Sequence, residues 1–343
     1  MKPAVKHSLR VAVSVAILAA VILYGRTIDW ATAWTAIRTA SWPILLIATL
    51  ANFVTLGAKA LTWWIFLRAV GVPSLSLATK ATVAGAGLNN ILIANSGEAA
   101  RVLFVTRASG APSAAVLAAL ALERLFDLIG YIVLMASAAY LLPMPHEVER
   151  WRFAAVGALL GIIVLLGVLL RRAPEIAVAT VYPTTIVGRV RSYLDRFMGS
   201  IRHILTIQRI ALAMLLSLVN WAAQIATYHL VAVAAHFPIS IVGSVTTLIT
   251  ANVGFLVRAT PGNVGVFQVV YGVTAQALGL DKASAVGVAL LLQFIQNVPV
   301  TLLAVVIAPD LLLHWRDKRG TAEPDGNNNR RATDHQRDIE SAK

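Results

Sequence analysis

Long runs of apolar residues, separated by short polar segments, constrain this chain more than any other feature of its sequence. A helix needs about 20 mostly apolar residues to cross the hydrocarbon core of a bilayer, and several runs reach or approach that length. Uninterrupted runs lie near 9–24, 43–67, 114–142, 153–170, 210–235 and 283–308. Two more, 77–94 and 241–279, are broken by Gly, Asn and Pro. The pattern predicts an all-α, polytopic membrane helical bundle with about 7–8 spans.

The charge content agrees with lipid as the solvent. Only 13% of the 343 residues are charged, whereas charged residues make up about a quarter of an ordinary soluble domain. The net charge is +13, and the basic residues lie between the apolar runs. This placement is typical of cytoplasmic loops that face anionic headgroups rather than of nucleic-acid binding. The chain has no cysteine, which excludes disulfides and thiolate metal sites.

The first apolar run, 9–24, has two interpretations. Basic residues precede it, as they precede the apolar core of a signal peptide. The residues that follow, Tyr24-Gly25-Arg26, do not form a small-residue cleavage site. We therefore expect an uncleaved first helix.

Lys and Arg predict the orientation. The segment 171–209 carries seven Arg against Glu175 and Asp195, whereas the linker 236–240 carries no Lys or Arg. We expect 171–209, the N-terminus and the C-terminal tail to lie on the cytoplasmic side of the cell inner (cytoplasmic) membrane, with 236–240 outside.

Within the cytoplasmic segment, residues 186–205 combine apolar residues at helical spacing with interspersed Arg. This pattern is typical of a basic amphipathic helix on the inner leaflet; the alternative is a helix packed on the cytoplasmic face of the protein itself. We assign 1–312 to the membrane domain. Residues 313–343 are polar, and we expect a disordered tail that is too short to fold as an enzyme domain.

Each of the two broken runs contains a helix-start signal. Asn95, three residues before Glu98, resembles a capping box, so a helix is predicted to begin at Ser96. Thr260 is a suitable N-cap, and Pro261 fits the first helical position after it. Irregular backbone cannot face lipid, so both breaks are expected inside protein or beside a wet cavity.

The two broken runs look related. Alignment of Gly97 with Gly262 pairs the two predicted helix starts. Each block also contains, further along the chain, two polar residues four positions apart, and these pairs align when the second block is shifted by five more residues. Those later residues are Glu123 and Asp127 in the first block, and Gln293 and Asn297 in the second. The similarity suggests an inverted repeat, in which two re-entrant hairpins would enter the membrane from opposite faces and share a midplane site. The alternative is that the two runs are similar by chance. Two helix N-termini could converge there on one phosphate.

Polar and charged residues within the apolar runs are the candidates for this site, because such residues are expensive in lipid and usually functional. The predicted substrate-binding residues are Asn89, Asn90, Asn95, Gly97, Glu98, Arg101, Glu123, Arg124, Asp127, Arg258, Pro261, Gly262 and Asn263. Some have structural alternatives. Glu98 and Arg101 could form an interfacial ion pair, and Lys59 could snorkel to the cytoplasmic interface. A polar stripe on the run 210–235 could be interhelical contact or a cavity wall; it comprises Asn220, Gln224, Thr227 and Tyr228.

Three ordered elements resemble the lysylphosphatidylglycerol synthase transmembrane family, also called the flippase-like domain family. The chain reads NNILIANSGEAARVLFVTR and later ALERLFDLIGY. The elements are Gly97-Glu98-x-x-Arg101, Glu123-Arg124-x-x-Asp127 and Pro261-Gly262-x-x-Gly265. The resemblance implies the lipid-translocating part of the bifunctional members, without their soluble aminoacyl-transfer domain.

The chain departs from the family pattern at three places, and these bear on the substrate. Ala94, Asn95 and Ser96 stand where the family usually has Pro and a basic residue before Gly-Glu. Gln268 stands where a Glu is usual, and Gln293 where an Arg is common in the final helix.

The leading functional hypothesis is a lipid flippase that moves a phospholipid or a polyprenyl-phosphate-linked lipid between leaflets. One alternative is an intramembrane lipid-modifying transferase with Glu98, Glu123 or Asp127 as general base; another is a non-transporting partner of a lipid-pathway enzyme. We expect no enzyme activity, cofactor, metal or nucleic acid. The expected partners are membrane lipids with an anionic or phosphate-bearing headgroup, together with a second copy of the chain or a lipid-pathway enzyme.

The orientation can be tested with single cysteines, because the chain has none of its own. In intact cells, a cysteine in 236–240 should react with an impermeant thiol reagent, whereas one in 189–202 should react only after permeabilisation. Labelling of 189–202 in intact cells would contradict the predicted topology.

Overall fold

The computed structural model describes residues 29–91, 96–141, 186–255 and 263–320, with the single positions 26, 157 and 161. These residues form α-helices joined by short turns. The helices are α1 (Trp30–Arg38), α2 (Trp42–Ala69), α3 (Leu75–Ile91), α4 (Ser96–Ser109), α5 (Ser113–Leu141), α6 (Ile186–Ile204), α7 (Ile207–Ala234), α8 (Ile241–Gly254), α9 (Val266–Ala277) and α10 (Lys282–Gly320). The all-α membrane fold is confirmed. The run 9–24 and nearly all of 153–170 lie outside the described residues.

Long helices account for four of the predicted spans. The helices α2 and α7 have 28 residues each, so each is about 42 Å long and exceeds the hydrocarbon thickness. Together with Lys282–Ile307 of α10 they are apolar enough to cross a membrane. The helix α5 has 29 residues and carries the charged ALERLFD element. The helix α10 continues to Gly320, past the assigned domain boundary at 312.

Short helices occupy the two broken runs. The helices α3 and α4 have 17 and 14 residues, and α8 and α9 have 14 and 12. At about 18–26 Å each, none of the four spans the hydrocarbon alone. The members of each pair pack against each other, so both broken runs form hairpins of two short helices.

The first predicted helix start is confirmed, whereas Thr260 and Pro261 of the second lie outside the described residues. The helix α4 begins at Ser96. The helix α9 begins at Val266, five residues after Pro261, because Asn263 and Gly265 have positive φ angles of 57° and 89° that a right-handed helix does not contain. The side chain of Gln268 caps the N-terminus of α9, since its Oε1 accepts a 2.6 Å hydrogen bond from the Gly265 amide.

The start of α9 at Val266 simplifies the alignment of the two halves. The helices α4 and α9 begin 170 positions apart. The same offset pairs Glu98 with Gln268. It also pairs Glu123 and Asp127 with Gln293 and Asn297, so the five-residue shift expected from sequence is not needed. Each half has the helix order long, short, short, long.

The halves are inverted relative to each other. Ser41, Ala48 and Thr55 at the start and middle of α2 lie beside successively earlier residues of α7. Those partners are Ala234, Thr227 and Asn220, so α2 and α7 run antiparallel. The leading helices are exchanged between the halves, because α1 packs against α10 and α6 packs against α5. This arrangement is the inverted repeat that the sequence suggested.

The predicted amphipathic helix is α6, and its apolar face packs on the protein. Ile201 and Ile204 are buried in a cluster with Phe126 of α5 and Phe66 of α2. The C-terminal part of α6 therefore packs on the bundle, as in the alternative considered above, whereas Tyr193 and Leu194 are exposed.

Candidate functional site

A polar cavity of about 390 Å³ lies where the two short hairpins meet the long helices. Both halves line it. The lining residues are Asn52, Thr55, Leu56, Lys59, Thr82, Ala86, Asn89, Asn90, Glu98, Arg101, Arg124 and Asp127 from the first half, and Gln224, Asn252, Phe255, Asn263, Phe267, Gln293, Gln296, Asn297 and Val300 from the second. The elements that the sequence predicts to share a site therefore do surround one space.

Six charged side chains lie at this cavity, four of them in one network and two in a separate pair. Arg101 Nη1 lies 3.2 Å from Glu123 Oε2 and 3.6 Å from Glu98 Oε2. Arg124 bridges Glu98 and Glu123, with its Nε atom 3.7 Å from Glu123 Oε2. At the other end, Lys59 Nζ lies 3.4 Å from Asp127 Oδ2. Three cations face three carboxylates, so the six charges sum to zero, which lowers the free-energy cost of burying them in a membrane.

The buried core of the network is the pair Arg101 and Glu123, whose side chains are 3% and 1% exposed. Arg101 also donates a 3.2 Å hydrogen bond to Thr82 Oγ1. Its guanidinium lies 4.2 Å from the centroid of the Trp63 ring, a cation–π contact. These partners hold Arg101 almost fully buried within the cavity wall, where only a small part of its side chain faces the open space.

Four charged residues reach the open space. Arg124 is the most exposed, at 42% of its side chain, followed by Lys59 at 26%. The carboxylates Glu98 and Asp127 are 22% and 19% exposed. A ligand anion would therefore meet Arg124 and Lys59 first.

Side chains already occupy two of the helix-start amides that were expected to bind an anion. The Gly97 amide donates a 2.9 Å hydrogen bond to Asn89 Oδ1, and the Gly265 amide donates to Gln268. Asn89, predicted to bind substrate, thus caps α4 from the preceding helix. The close approach of α3 and α4 requires small residues, because a Cβ atom on Gly97 would overlap the backbone of Gly85.

The second half presents amides where the first half presents carboxylates. Gln268 Nε2 donates a 2.5 Å hydrogen bond to Gln293 Oε1. Their counterparts Glu98 and Glu123 are both anionic and need Arg101 between them. Two amides bond directly because each carries a donor and an acceptor. Among the described lining residues, every formal charge therefore comes from the first half.

The remaining predicted residues have mixed positions. Asn90 Nδ2 donates to the Asn297 carbonyl at 3.3 Å and to Thr301 Oγ1 at 3.1 Å. Asn263 lines the cavity. The other four, Asn95, Arg258, Pro261 and Gly262, lie outside the described residues.

Sequence reasoning missed Asn52 and Thr55, and it left Lys59 open between a site residue and a snorkelling residue. All three lie on α2 and line the cavity. The available signal was a polar residue at every third or fourth position within the apolar run 43–67. The polar stripe of α7 divides: Gln224 lines the cavity, whereas Asn220 donates a 2.7 Å hydrogen bond to Asp127. Thr227 and Tyr228 are buried in packing.

Comparison with protein families shows which family this chain belongs to. The family model described as the lysylphosphatidylglycerol synthase TM region matches residues 10–304, which is most of the chain. The chain belongs to this family. A search of curated proteins gives no match.

Membership in the lysylphosphatidylglycerol synthase TM region family indicates a lipid-related function in a membrane. Residues of the first two elements that carry the family resemblance line the cavity, namely Glu98, Arg101, Arg124 and Asp127. From the third element, the described residue Asn263 reaches the same cavity.

The buried pair should matter more for stability than for ligand contact. Removing one member of a buried ion pair strands the other charge and costs about 3–5 kcal/mol. Arg101→Met and Glu123→Leu should therefore each lower the thermal midpoint in detergent strongly, and the double variant should recover part of the loss. Arg196→Met, at an exposed position on α6, is the control. If Arg101→Met is as stable as Arg196→Met, the pair has no structural role.

Proposed function

We propose that the protein moves a lipid with an anionic, phosphate-bearing headgroup between the two leaflets and does not convert it chemically. The family relationship supports a lipid-related role. The observation that carries the proposal is a second, apolar space that adjoins the charged cavity.

An apolar groove of about 480 Å³ runs between α4 and α5. Its lining residues are Glu98, Ala99, Val102, Leu103, Thr106, Ser113, Leu117 and Leu120. Glu98 lines both the groove and the polar cavity, so the two spaces meet at this side chain. A polar cavity joined to an apolar groove suits an amphiphile, whose headgroup would occupy the first and whose acyl chain would occupy the second.

The cavity offers a path that lowers the cost of moving a charged headgroup. A charged side chain at the bilayer centre costs about 2.5–3.5 kcal/mol on insertion scales, and a phosphodiester carries a comparable charge. Arg124 and Lys59 would replace the water that the phosphate loses. Amide side chains elsewhere in the cavity would hydrogen-bond the rest of the headgroup.

The existing ion pairs favour reversible binding. A phosphate that binds Arg124 or Lys59 must compete with Glu98 or Asp127 for the same cation. The cost of displacing a carboxylate therefore reduces the net binding free energy of the phosphate. Moderate affinity suits a transport site, because the ligand must leave as readily as it enters.

Blocking the groove should slow translocation. In proteoliposomes that contain a fluorescent phospholipid, Leu117→Trp should fill the groove and reduce the rate of leaflet exchange by about tenfold, which corresponds to a barrier of about 1.4 kcal/mol. The matched control is Leu128→Trp, a change at another exposed leucine of the same helix that does not line the groove.

Two results would contradict the proposal. Exchange by Leu117→Trp at the rate of Leu128→Trp would exclude the groove from the path. A chemically altered lipid, found by mass spectrometry after incubation with the wild-type protein, would favour the transferase alternative.

A further inference from the structure

Amide side chains dominate the polar surface of the cavity. Nine of the 21 lining residues are Asn or Gln. They are Asn52, Asn89, Asn90, Gln224, Asn252, Asn263, Gln293, Gln296 and Asn297. A cavity that only had to accommodate a phosphate would need cations and N–H donors, so this many neutral amides require a separate explanation.

The orientation of three amides follows from their partners. Asn52 Nδ2 lies 3.4 Å from the Ile295 carbonyl, and Asn90 Nδ2 lies 3.3 Å from the Asn297 carbonyl. Asn252 Nδ2 lies 2.8 Å from the carbonyl of Leu248. A backbone carbonyl can only accept, so the nitrogen of each amide must face it. The side-chain oxygens of these three residues accept no hydrogen bond from the described part of the chain.

Asn263 adds a fourth amide oxygen. Its backbone φ is 57°, and its Oδ1 atom is buried without a hydrogen-bond partner among the described residues. Buried polar atoms are normally paired. The cavity wall therefore offers these four amide oxygens as hydrogen-bond acceptors, and a ligand that contacts them must supply donors.

The charge of the wall selects among donors. Phosphate oxygens are acceptors and gain nothing from amide oxygens. An ammonium group also donates, but a desolvated cation needs a carboxylate rather than the neutral oxygens that these amides present. Hydroxyl groups donate hydrogen bonds and carry no charge. They therefore match the amide wall best.

Two aromatic rings favour a cyclic ligand. Phe255 and Phe267 stack with centroids 5.5 Å apart and an interplanar angle of 2°. Both residues line the cavity beside the amides. Phe267 is only 2% exposed and supports Phe255, so the partly exposed ring of Phe255 is the apolar surface that suits the C–H face of a ring polyol. The hydroxyls of the polyol would meet the amide oxygens at its rim.

We propose that the headgroup carries a ring polyol, such as inositol or a sugar, linked through its phosphate. The phosphate would lie against Lys59 and Arg124 of the first half, and the hydroxyls against the amides. This inference deepens the proposed function, because it names the substrate class of the same cavity.

Binding in detergent tests the inference without any transport step. The probes are dioleoyl phosphatidylinositol, phosphatidic acid and phosphatidylethanolamine, which present a ring polyol, a phosphate alone and an ammonium on the same acyl chains. We expect phosphatidylinositol to bind at least about tenfold more tightly than either other lipid. The double variant Asn52→Leu/Asn252→Leu should lose this preference and keep its affinity for phosphatidic acid, which also shows that it is folded.

Gln208→Leu is the control, because Gln208 is an exposed amide of α7 that does not line the cavity. Equal binding of the three lipids, or tightest binding of phosphatidylethanolamine, would overturn the inference. So would an unchanged preference in the double variant. A phosphatidylinositol preference in a protein that does not exchange lipids would contradict only the proposed function, and lipid exchange without the preference would contradict only this inference.

Discussion

Irregular backbone cannot face lipid, and the rest of this structure depends on that constraint. The helices α3 and α4, like α8 and α9, are too short to cross the hydrocarbon, so each hairpin exposes helix ends at membrane depth. Those ends must be satisfied by protein. Asn89 and Gln268 cap the starts of α4 and α9. Polar groups that have no place in lipid are thereby collected around one internal cavity.

The inverted repeat explains why the cavity has two chemically different walls. Both halves place residues at equivalent positions, and a carboxylate in one half corresponds to an amide in the other, as with Glu98 and Gln268 or Glu123 and Gln293. Carboxylates in a membrane require cations, which the first half supplies as Arg101, Arg124 and Lys59. Amides require only hydrogen bonds. One pseudo-symmetric frame therefore provides a charged wall and a neutral wall for the two parts of a headgroup.

Local sequence signals predicted the four long spans that the structure describes, the start of α4 and the gathering of the charged elements, because hydropathy and charge act at short range along the chain. They did not predict the start of α9. Thr260 and Pro261, which have the composition of a helix start, lie outside the described residues. The positive φ of Gly265 and the side chain of Gln268 determine where α9 begins. The capping of α4 by Asn89 and the pairing of Lys59 with Asp127 depend on contacts between helices. A single sequence does not contain that information.

The most direct test of the account is lipid exchange by the protein in liposomes with and without its two exposed cavity cations. Wild-type protein should equilibrate a fluorescent anionic phospholipid between the leaflets, whereas Lys59→Gln/Arg124→Gln should lose most of this activity while remaining folded. Arg68→Gln removes a cation that stacks on Trp64 and does not line the cavity, and it should exchange lipid normally. Exchange by the double variant at the wild-type rate would show that the headgroup does not pass through this cavity.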